Sequence, residues 1–402
     1  MALPPTSRPL HPETLAIRAQ IPRTPAREHS VPLFLTSSFV FDDAEQARAL
    51  FADEIAGNIY SRFTNPNVDE FIEKICLLEG ADAGFATASG MAAVFASLAS
   101  LLSAGDHVLA SRALFGSTHQ LLTKVLPRWG ITHTYVDADA SPDDWAAAVQ
   151  PNTKLVFVET PSNPGLELVD LEMLGTLCRE RGLVFVVDNC FTTPLLQQPI
   201  RYGADLVVHS ATKYIDGQGR TMGGVVVGAA KRIADVRFFC RQTGPSLSPF
   251  NAWILSKSLE TLAVRLDRHV SNALHLARHF EGADGVAAVR YPFLESHPQH
   301  ALARRQMSAG GGLVVLDLEG GAARARRFID ALEVLSHSGN LGDTRTIVTH
   351  PASSTHAKLT EAERERVRIT QGMVRISVGL EHVDDIVADI EQALVRSAEA
   401  AS

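Results

Sequence analysis

Short apolar segments alternate with helical patterns through the first half of the chain, and this alternation restricts the fold more than any other feature. Strands are predicted near residues 84–89, 106–111, 131–136, 154–159, 183–188, 206–208 and 221–228. Helical patterns between them lie near residues 67–78, 91–102, 118–126, 143–149 and 171–181. Repeated strand–helix units with apolar strands are typical of a mostly parallel sheet covered by helices. We therefore predict an α/β domain.

The chain divides into three regions of different character. Residues 1–60 are rich in proline and turn residues, but their apolar segments are unlike a disordered tail. We predict an extended arm at 1–60 that contacts a neighbouring subunit, the α/β domain at 61–255 and a smaller α+β domain at 256–402. The last region carries a long helical pattern at 251–281, strands near 312–318, 346–349 and 373–378, and helices near 321–335, 359–369 and 383–398.

Composition excludes several classes of protein. The 402 residues are 46% hydrophobic and 20% charged, which is ordinary for a globular enzyme. A net charge of −8 argues against nucleic acid or an anionic membrane as a partner. No apolar run has the length of a membrane span or the form of a secretion signal. The four scattered cysteines match no metal site and predict reduced thiols in a cytoplasmic protein.

Two polar residues that follow neighbouring apolar strands suggest the chemistry. Lys213 comes shortly after the strand at 206–208, and Asp188 ends the strand at 183–188. Ligands of α/β proteins bind outside the carboxyl ends of the strands, where burial lowers the pKa of a lysine and makes it nucleophilic. A buried carboxylate needs a cation, and a protonated pyridine is one. Alone, each residue could be a surface lysine or a capping carboxylate; together they favour pyridoxal phosphate (PLP).

Two further segments could bind an anion. Ser89, Gly90 and Met91 follow a strand and open a helix, so free backbone N–H groups and the positive end of the helix dipole converge there. A plain serine cap is the alternative, and both can hold together. Tyr60 and Arg62, beside a proline turn, could clasp an anion through a hydroxyl and a guanidinium group. A solvated turn is the other interpretation of this pair.

Three more residues could contact a cofactor or a substrate. Phe115, in a strand-to-helix loop, offers a flat face for a ring, although it could equally belong to the core. Asn163, in a polar turn after a strand, could donate a hydrogen bond to a phenolic oxygen or serve only the turn. Arg375 lies among apolar residues of a strand and needs a carboxylate, which a substrate amino acid or a structural salt bridge could supply.

The motifs occur together in the order typical of one enzyme family. The chain resembles the Cys/Met-metabolism family of PLP-dependent enzymes, which have the aspartate-aminotransferase-like fold, fold type I. The resemblance covers nearly the whole chain. It rests on Tyr60-Ser-Arg62, Ser89-Gly90-Met91, Glu159-Thr-Pro-Ser-Asn163-Pro, Val187-Asp188, Ser210-Ala-Thr212-Lys213-Tyr, His350-Pro-Ala and Arg375-Ile-Ser-Val-Gly-Leu-Glu381.

The resemblance implies a role for each matching residue. Lys213 would be the Schiff-base lysine and proton shuttle, Asp188 the partner of the pyridine nitrogen, and Phe115 the residue that stacks on the ring. Arg375 would bind the substrate α-carboxylate. The resemblance also implies a homotetramer, a dimer of dimers with shared active sites. The phosphate would be held by Gly90, Met91, Ser210 and Thr212 of one subunit and by Tyr60 and Arg62 of its neighbour.

Within the family, one stretch resembles the sulfhydrylase branch that acts on O-succinylhomoserine. It is Ser336-His-Ser-Gly-Asn340-Leu-Gly-Asp343-Thr-Arg, in which Asn340 is expected to contact the substrate. The implied reaction is γ-replacement, in which O-succinyl-L-homoserine and sulfide give L-homocysteine and succinate. Many members have tyrosine where this chain has Phe115, and the absence of its hydroxyl group fits this reaction. A thiol leaving group with a pKa of about 8.5 benefits from a donated proton, whereas a carboxylate with a pKa of about 4 does not.

Several alternatives stay open from the sequence. The substrate could be O-acetylhomoserine, the acceptor could be cysteine, or the enzyme could be a γ-lyase. A binding protein that kept the fold without the chemistry is a further possibility, which the joint presence of Lys213, Asp188 and Arg375 disfavours. For the distal carboxylate of a succinyl group, Arg220 and Arg345 are candidates by charge alone.

Overall fold

Two β-sheets organise the protein, whose computed structural model describes residues 9–357 and 359–399. The larger sheet has seven strands in the order β1-β7-β6-β5-β4-β2-β3, and the smaller has five in the order β10-β11-β12-β9-β8. The larger consists of β1 (Ala83–Thr87), β2 (His107–Ser111), β3 (Thr132–Val136), β4 (Thr153–Glu159), β5 (Val184–Asp188), β6 (Leu206–Ser210) and β7 (Gly224–Gly228). The smaller consists of β8 (Val286–Arg290), β9 (Leu313–Leu318), β10 (Ser336–His337), β11 (Ile347–Thr349) and β12 (Met373–Ser377).

Fifteen α-helices occur within the described residues and surround the sheets. Those up to the sixth strand are α1 (Pro12–Arg18), α2 (Ala44–Phe51), α3 (Pro66–Glu79), α4 (Gly90–Ala99), α5 (Gly116–Gln120), α6 (Pro142–Ala147), α7 (Leu171–Arg181) and α8 (Thr193–Leu196). The later ones are α9 (Ala230–Thr243), α10 (Pro249–Leu259), α11 (Leu262–Phe280), α12 (His300–Gln306), α13 (Gly321–Ala331), α14 (Glu361–Arg366) and α15 (Val383–Glu399). Within the described ranges, no helix combines the length and apolar character that a membrane span needs.

The large sheet is mostly parallel and buried on both faces. Strands β2 to β6 pair in parallel, whereas β7 runs antiparallel to both of its neighbours. Alternate residues of one strand enter different cores: Val187 packs on one side of the sheet and Val186 on the other. Burial on both faces explains the continuous apolar strands of the sequence. The predicted α/β domain with a smaller α+β domain is therefore confirmed, while its limits at 61–255 and 256–402 stay a proposal.

The predicted long helix at 251–281 is wrong, because the structure divides it into α10 and α11. Thr261 leaves the helical conformation between them, with φ −113° and ψ 4°. Arg265 stabilises the interruption: its Nη2 donates to the Ser258 carbonyl at 3.0 Å, and its Nη1 donates to the Tyr214 carbonyl at 2.7 Å. The two helices therefore separate where Arg265 donates hydrogen bonds to carbonyl groups outside its own helix.

Other differences from the predicted elements have local causes. The helix predicted at 118–126 becomes the short α5, a π-helical segment Leu121–Val125 and a 3-10 segment Leu126–Trp129. Pro127 has no N–H to continue an α-helix there. The helix predicted at 359–369 is shorter, because a capping box at Thr360 starts α14 and Arg368 adopts a positive φ of 55° after it.

Several elements were not predicted, among them the helices α8, α9 and α12. The arm at 1–60 is not extended throughout, because its described part contains α1 and α2. The edge strand β8 has the sequence Val-Ala-Ala-Val-Arg, whose weak strand propensity hid it. The strand β10 has only two residues, too few for a pattern.

Candidate active site

A cavity of about 310 Å³ opens where β4, β5 and β6 end and α4 begins. Most of the site residues predicted from the sequence line it. They are Ser89, Gly90, Met91, Phe115, Asn163, Asp188, Ser210, Thr212, Lys213 and Arg375. Asn340 joins them through a hydrogen bond to Lys213. Residues from distant parts of the sequence thus meet at the carboxyl edge of the sheet, as expected for a ligand site of an α/β protein.

Lys213 lies just beyond the end of β6 and faces this cavity. Its Nζ donates a hydrogen bond to Oδ1 of Asn340 at 2.5 Å. Burial lowers the pKa of Lys213 from its ordinary value, and the charge of Arg375 lowers the pKa further. A lowered pKa increases the fraction of neutral amine, which is the nucleophilic and basic form of the side chain.

Asp188 ends β5 on the wall of the same cavity. Its Oδ1 accepts a hydrogen bond from the Cys190 backbone at 3.1 Å, and burial raises the pKa of the carboxyl group to about 6. Within the described part of the chain, no lysine, arginine or histidine forms a salt bridge with it. A carboxylate whose charged form is disfavoured in the free protein is suited to a cationic ligand atom, such as a protonated ring nitrogen.

Glu159 is a site residue that sequence reasoning treated only as the end of a strand. It is 4% exposed, lines the cavity and pairs in register with Asp188 on the next strand. Its Oε2 accepts from the Phe115 backbone at 2.7 Å, and its Oε1 accepts from the Asn163 backbone at 3.1 Å. Burial, with a contribution from Asp188, raises the pKa of Glu159 well above its usual range. Its place beside Asp188 at the sheet edge was the signal available in the sequence.

The start of α4 forms a cradle for an anion. Ser89 caps the helix by accepting from the Ala92 backbone at 3.2 Å, so the predicted serine cap is present. Gly90 approaches β6 so closely that an added Cβ would lie 2.5 Å from the Cβ of Ser210. Backbone N–H groups at the helix start, with the hydroxyl groups of Ser210 and Thr212 nearby, suit a phosphate.

Arg375 is a buried cation, 1% exposed, on the central strand of the small sheet. Its Nη1 donates to Oδ1 of Asn163 at 2.9 Å and its Nη2 donates to the Asn340 carbonyl at 3.0 Å. Its Nε is buried without a partner, and burial lowers its pKa to about 10. Among the described residues no carboxylate forms a salt bridge with it, so the guanidinium group is available to an anionic substrate group.

Phe115 contributes to the less polar part of the wall, with Met91, Cys190 and Met222. Burial raises the pKa of the Cys190 thiol, the charge of Asp188 raises it further, and the cysteine therefore stays protonated. The side chain of Phe115 provides no hydroxyl group. The flat ring and the surrounding sulfur and methylene groups suit an aromatic ligand.

Tyr60 and Arg62 do not line this cavity within the same chain. They lie in a surface groove with Ser246, Leu247 and Pro249. Tyr60 is 41% exposed, and the Arg62 guanidinium stacks over the ring of Phe63 at 4.6 Å. Arg62 also donates to the Arg241 carbonyl.

The cavity contains each kind of chemical group that PLP needs for binding. It offers a lysine for the aldehyde, an unpaired carboxylate for the ring nitrogen, a cradle for the phosphate and an aromatic side chain for the ring. The groups come from the ends of β5 and β6, the start of α4 and the loop between β2 and α5, so a single small ligand could contact all of them.

Comparison with known proteins agrees with a PLP site in this cavity. Residues 13–395 match the family described as Cys/Met metabolism PLP-dependent enzyme. An O-succinylhomoserine sulfhydrylase of Pseudomonas aeruginosa is 51% identical over 95% of this chain and 94% of its own length. One of Mycobacterium tuberculosis is 46% identical over 95% of each chain. A crystal structure from Campylobacter jejuni that contains N'-pyridoxyl-lysine-5'-monophosphate superposes with a TM-score of 0.93, 33% identity and coverage of 96% of this chain and 100% of that one.

The match extends across nearly the whole chain, and the similar proteins match along nearly their whole length. The resemblance predicted from the sequence motifs is therefore confirmed. The chain belongs to the Cys/Met metabolism family of PLP-dependent enzymes.

Proposed function

We propose that the protein is an O-succinylhomoserine sulfhydrylase, which converts O-succinyl-L-homoserine and sulfide into L-homocysteine and succinate. The observation that carries this function is the 51% identity over 95% of the chain to a relative of that name. The reaction is a γ-replacement, and the protein is a PLP-dependent enzyme. We assign it to methionine biosynthesis by direct sulfhydrylation.

Residues of the cavity would hold PLP by complementary charge and shape. Asp188 would accept the ring N–H, and Phe115 would cover the ring. The phosphate would lie at the start of α4, and Asn163 would donate to the phenolic oxygen. The phosphate contacts would come from Ser89, Gly90, Met91, Ser210 and Thr212, with Tyr60 and Arg62 of a neighbouring subunit.

PLP, when bound, withdraws electrons from the substrate Cα and so makes its proton acidic. Lys213 would take and return that proton at Nζ, because its lowered pKa favours the neutral amine. Asn340 fixes the amine through the 2.5 Å hydrogen bond, which restricts where the proton can be received. Orientation of this kind lowers the entropic cost of proton transfer.

Arg375 would bind the α-carboxylate of the amino-acid substrate. Its buried guanidinium has an unpartnered Nε and lacks a salt bridge within the described ranges. Asn163 and the Asn340 carbonyl hold the other two nitrogen atoms, so the group is already oriented before the substrate enters. The absence of a hydroxyl on Phe115 suits a leaving carboxylate, which departs without a donated proton.

We further propose a cytoplasmic homotetramer, built as a dimer of dimers. Large apolar side chains are exposed on the arm and near the cavity mouth, and exposed patches of this kind mark interfaces. They include Leu35 at 70%, Val40 at 98% and Met222 at 63% exposure. The four free cysteines are typical of a reducing compartment. Small molecules are the expected substrates, and neither nucleic acid nor a membrane is an expected partner.

Product analysis tests the reaction directly. Purified enzyme with PLP is given O-succinyl- or O-acetyl-L-homoserine, each with sulfide, with cysteine or without an acceptor. We expect homocysteine and succinate to form fastest from the succinyl ester with sulfide. Faster turnover of the acetyl ester, cystathionine from cysteine, or 2-oxobutanoate without an acceptor would each identify another member of the family.

A pair of lysine variants tests the assignment of Lys213. Lys213→Ala should lose the absorption band that borohydride reduces, and it should lose turnover. Lys154→Ala, which changes an exposed lysine at the start of β4, should keep both. A fully active Lys213→Ala protein would refute the Schiff-base assignment.

A further inference from the structure

A second cavity of about 240 Å³ adjoins the first. The segments that separate them expose consecutive residues to opposite sides: Phe115 lines the first cavity and Gly116 the second, and Thr355 lines the first and His356 the second. Asn163 lines both cavities. The two cavities are therefore separated at Asn163 by no more than this one residue. The side chain of Asn163 is also the one that accepts a hydrogen bond from Arg375.

The second cavity has a cation that is free to bind a ligand. Arg366 lines it from the last turn of α14, and no carboxylate among the described residues pairs with it. The other charged groups on the wall are already engaged. Arg112 forms a salt bridge with Asp137 at 2.7 Å, and Glu363 accepts from the backbone and hydroxyl of Thr360.

His356 adds a polar atom that lacks a partner. The residue is 3% exposed, its Nδ1 lies 2.9 Å from the Thr355 hydroxyl, and its Nε2 is buried with no hydrogen-bond partner among the described residues. Burial lowers the pKa of His356 to about 4, only partly opposed by the nearby Asn163 backbone. The imidazole is therefore neutral at pH 7, and it can donate from Nε2 when Nδ1 accepts from the hydroxyl group.

The two arginines that were candidates for binding the distal carboxylate by charge alone form salt bridges with other residues. Arg220 pairs with Asp216 at 3.0 Å, and Arg345 pairs with Asp343 at 2.9 Å. Neither of them lines either cavity.

We propose that the second cavity is the subsite for the acyl group, in which Arg366 and the Nε2 of His356 bind the distal carboxylate of the succinyl ester. This inference rests on the proposed function. A substrate whose α-carboxylate is held at Arg375 would pass Asn163 and place its acyl chain in the second cavity. An acetyl ester has no carboxylate to offer there, so the cation discriminates between the two esters.

The test compares the two esters in matched variants. Arg366→Met is measured against Arg181→Met, which removes an exposed arginine from the last turn of α7. The ratio of kcat/KM for succinyl to acetyl ester should fall about 10-fold or more in Arg366→Met, the usual effect of losing a charge-assisted hydrogen bond. It should fall further in Arg366→Glu and stay unchanged in Arg181→Met.

Calorimetry with succinate provides a readout that does not depend on turnover. Holoenzyme should bind succinate more tightly than acetate, and Arg366→Met should abolish the difference. An unchanged ester ratio and unchanged succinate binding in Arg366→Met would overturn the subsite while leaving the proposed function intact. A wild-type enzyme that ignores the succinyl ester altogether would instead overturn the proposed function.

Discussion

At the scale of single residues, Glu159 controls the positions of two loops. It accepts from the backbones of Phe115 and Asn163, one with each oxygen. In Glu159→Gln the amide nitrogen cannot accept, so one buried N–H loses its partner and faces another donor. A loss of this kind costs about 1–3 kcal/mol. We expect weaker binding of PLP to the apoenzyme, by roughly 10-fold or more, measured by fluorescence titration.

Glu70→Gln is the matched control for that variant. Glu70 is a second buried glutamate, 1% exposed, but it accepts from Ser256 and pairs with Lys74 away from the cavity. Its replacement should lower the thermal midpoint and leave PLP affinity unchanged. Equal PLP affinity in Glu159→Gln and the wild type would show that the two loops do not depend on this carboxylate.

Asp188 makes the stability of the apoenzyme depend on pH. Its pKa is raised to about 6 in the folded protein, against about 3.9 in an unfolded chain, so the folded state binds more protons between these values. The stability from this group is present below pH 4 and is lost as pH rises through 6. Apoenzyme Asp188→Asn should therefore be more stable than wild-type apoenzyme at pH 8, with a smaller difference at pH 5, in urea denaturation. A difference independent of pH would contradict the raised pKa.

Site residues at the ends of strands could be predicted from the sequence, whereas residues whose role depends on distant loops could not. Lys213 and Asp188 follow apolar strands, and parallel strands bring their ends to one edge whatever the details of the loops. Glu159 occupies the same kind of position, but its role depends on which loops fold back onto it. Arg366 and His356 were not predicted, because residues from distant segments of the chain complete the second cavity and nothing in the local sequence indicates it.

At the scale of elements, the close approach of α4 to β6 determines the cradle. An added Cβ at Gly90 would lie 2.5 Å from the Cβ and 2.9 Å from the Cα of Ser210. Gly90→Ala must therefore push the helix start away from the strand, and we expect it to weaken phosphate and PLP binding at least about 10-fold. Inorganic phosphate and PLP titrations of the apoenzyme measure this effect.

Gly80→Ala separates this effect from a general loss of stability. Gly80 ends α3 with a φ of 76°, and an added Cβ would meet no atom within 4 Å. Its replacement should destabilise the protein by about 1 kcal/mol through backbone strain and leave PLP affinity unchanged. If both variants reduced PLP affinity equally, the close contact with Ser210 would not be the cause.

The elements were predictable where one sequence pattern was sufficient. Buried strands and capped helices were found: α3 is one residue longer at each end than predicted, and α7 has the predicted ends. The interruption between α10 and α11 was not found, because it depends on hydrogen bonds from Arg265 to carbonyl groups of another segment. Local propensity contains no information about such a partner.

At the scale of the whole molecule, Tyr60 and Arg62 are predicted site residues that lie outside the cavity of their own chain. They lie in a surface groove away from Lys213, with Ser246 and Pro249. If they serve a neighbouring subunit, an Arg62 defect on one chain and a Lys213 defect on the other fall in the same site of a mixed dimer. One site then carries both defects and the other carries neither.

Mixing two inactive variants tests this arrangement. Arg62→Ala and Lys213→Ala are coexpressed with different tags, and the doubly tagged species is purified by successive affinity steps. Each variant alone should show little turnover. Each mixed dimer within the doubly tagged tetramers should have one intact site of its two, so turnover should rise to at most about half of the wild-type rate. A mixed dimer as inactive as its parents would place Arg62 outside the neighbour's site. Arg18→Ala with Lys213→Ala is the control. Arg18 is an exposed residue of α1, so we expect Arg18→Ala to be active alone and the mixed species to recover activity to the same extent.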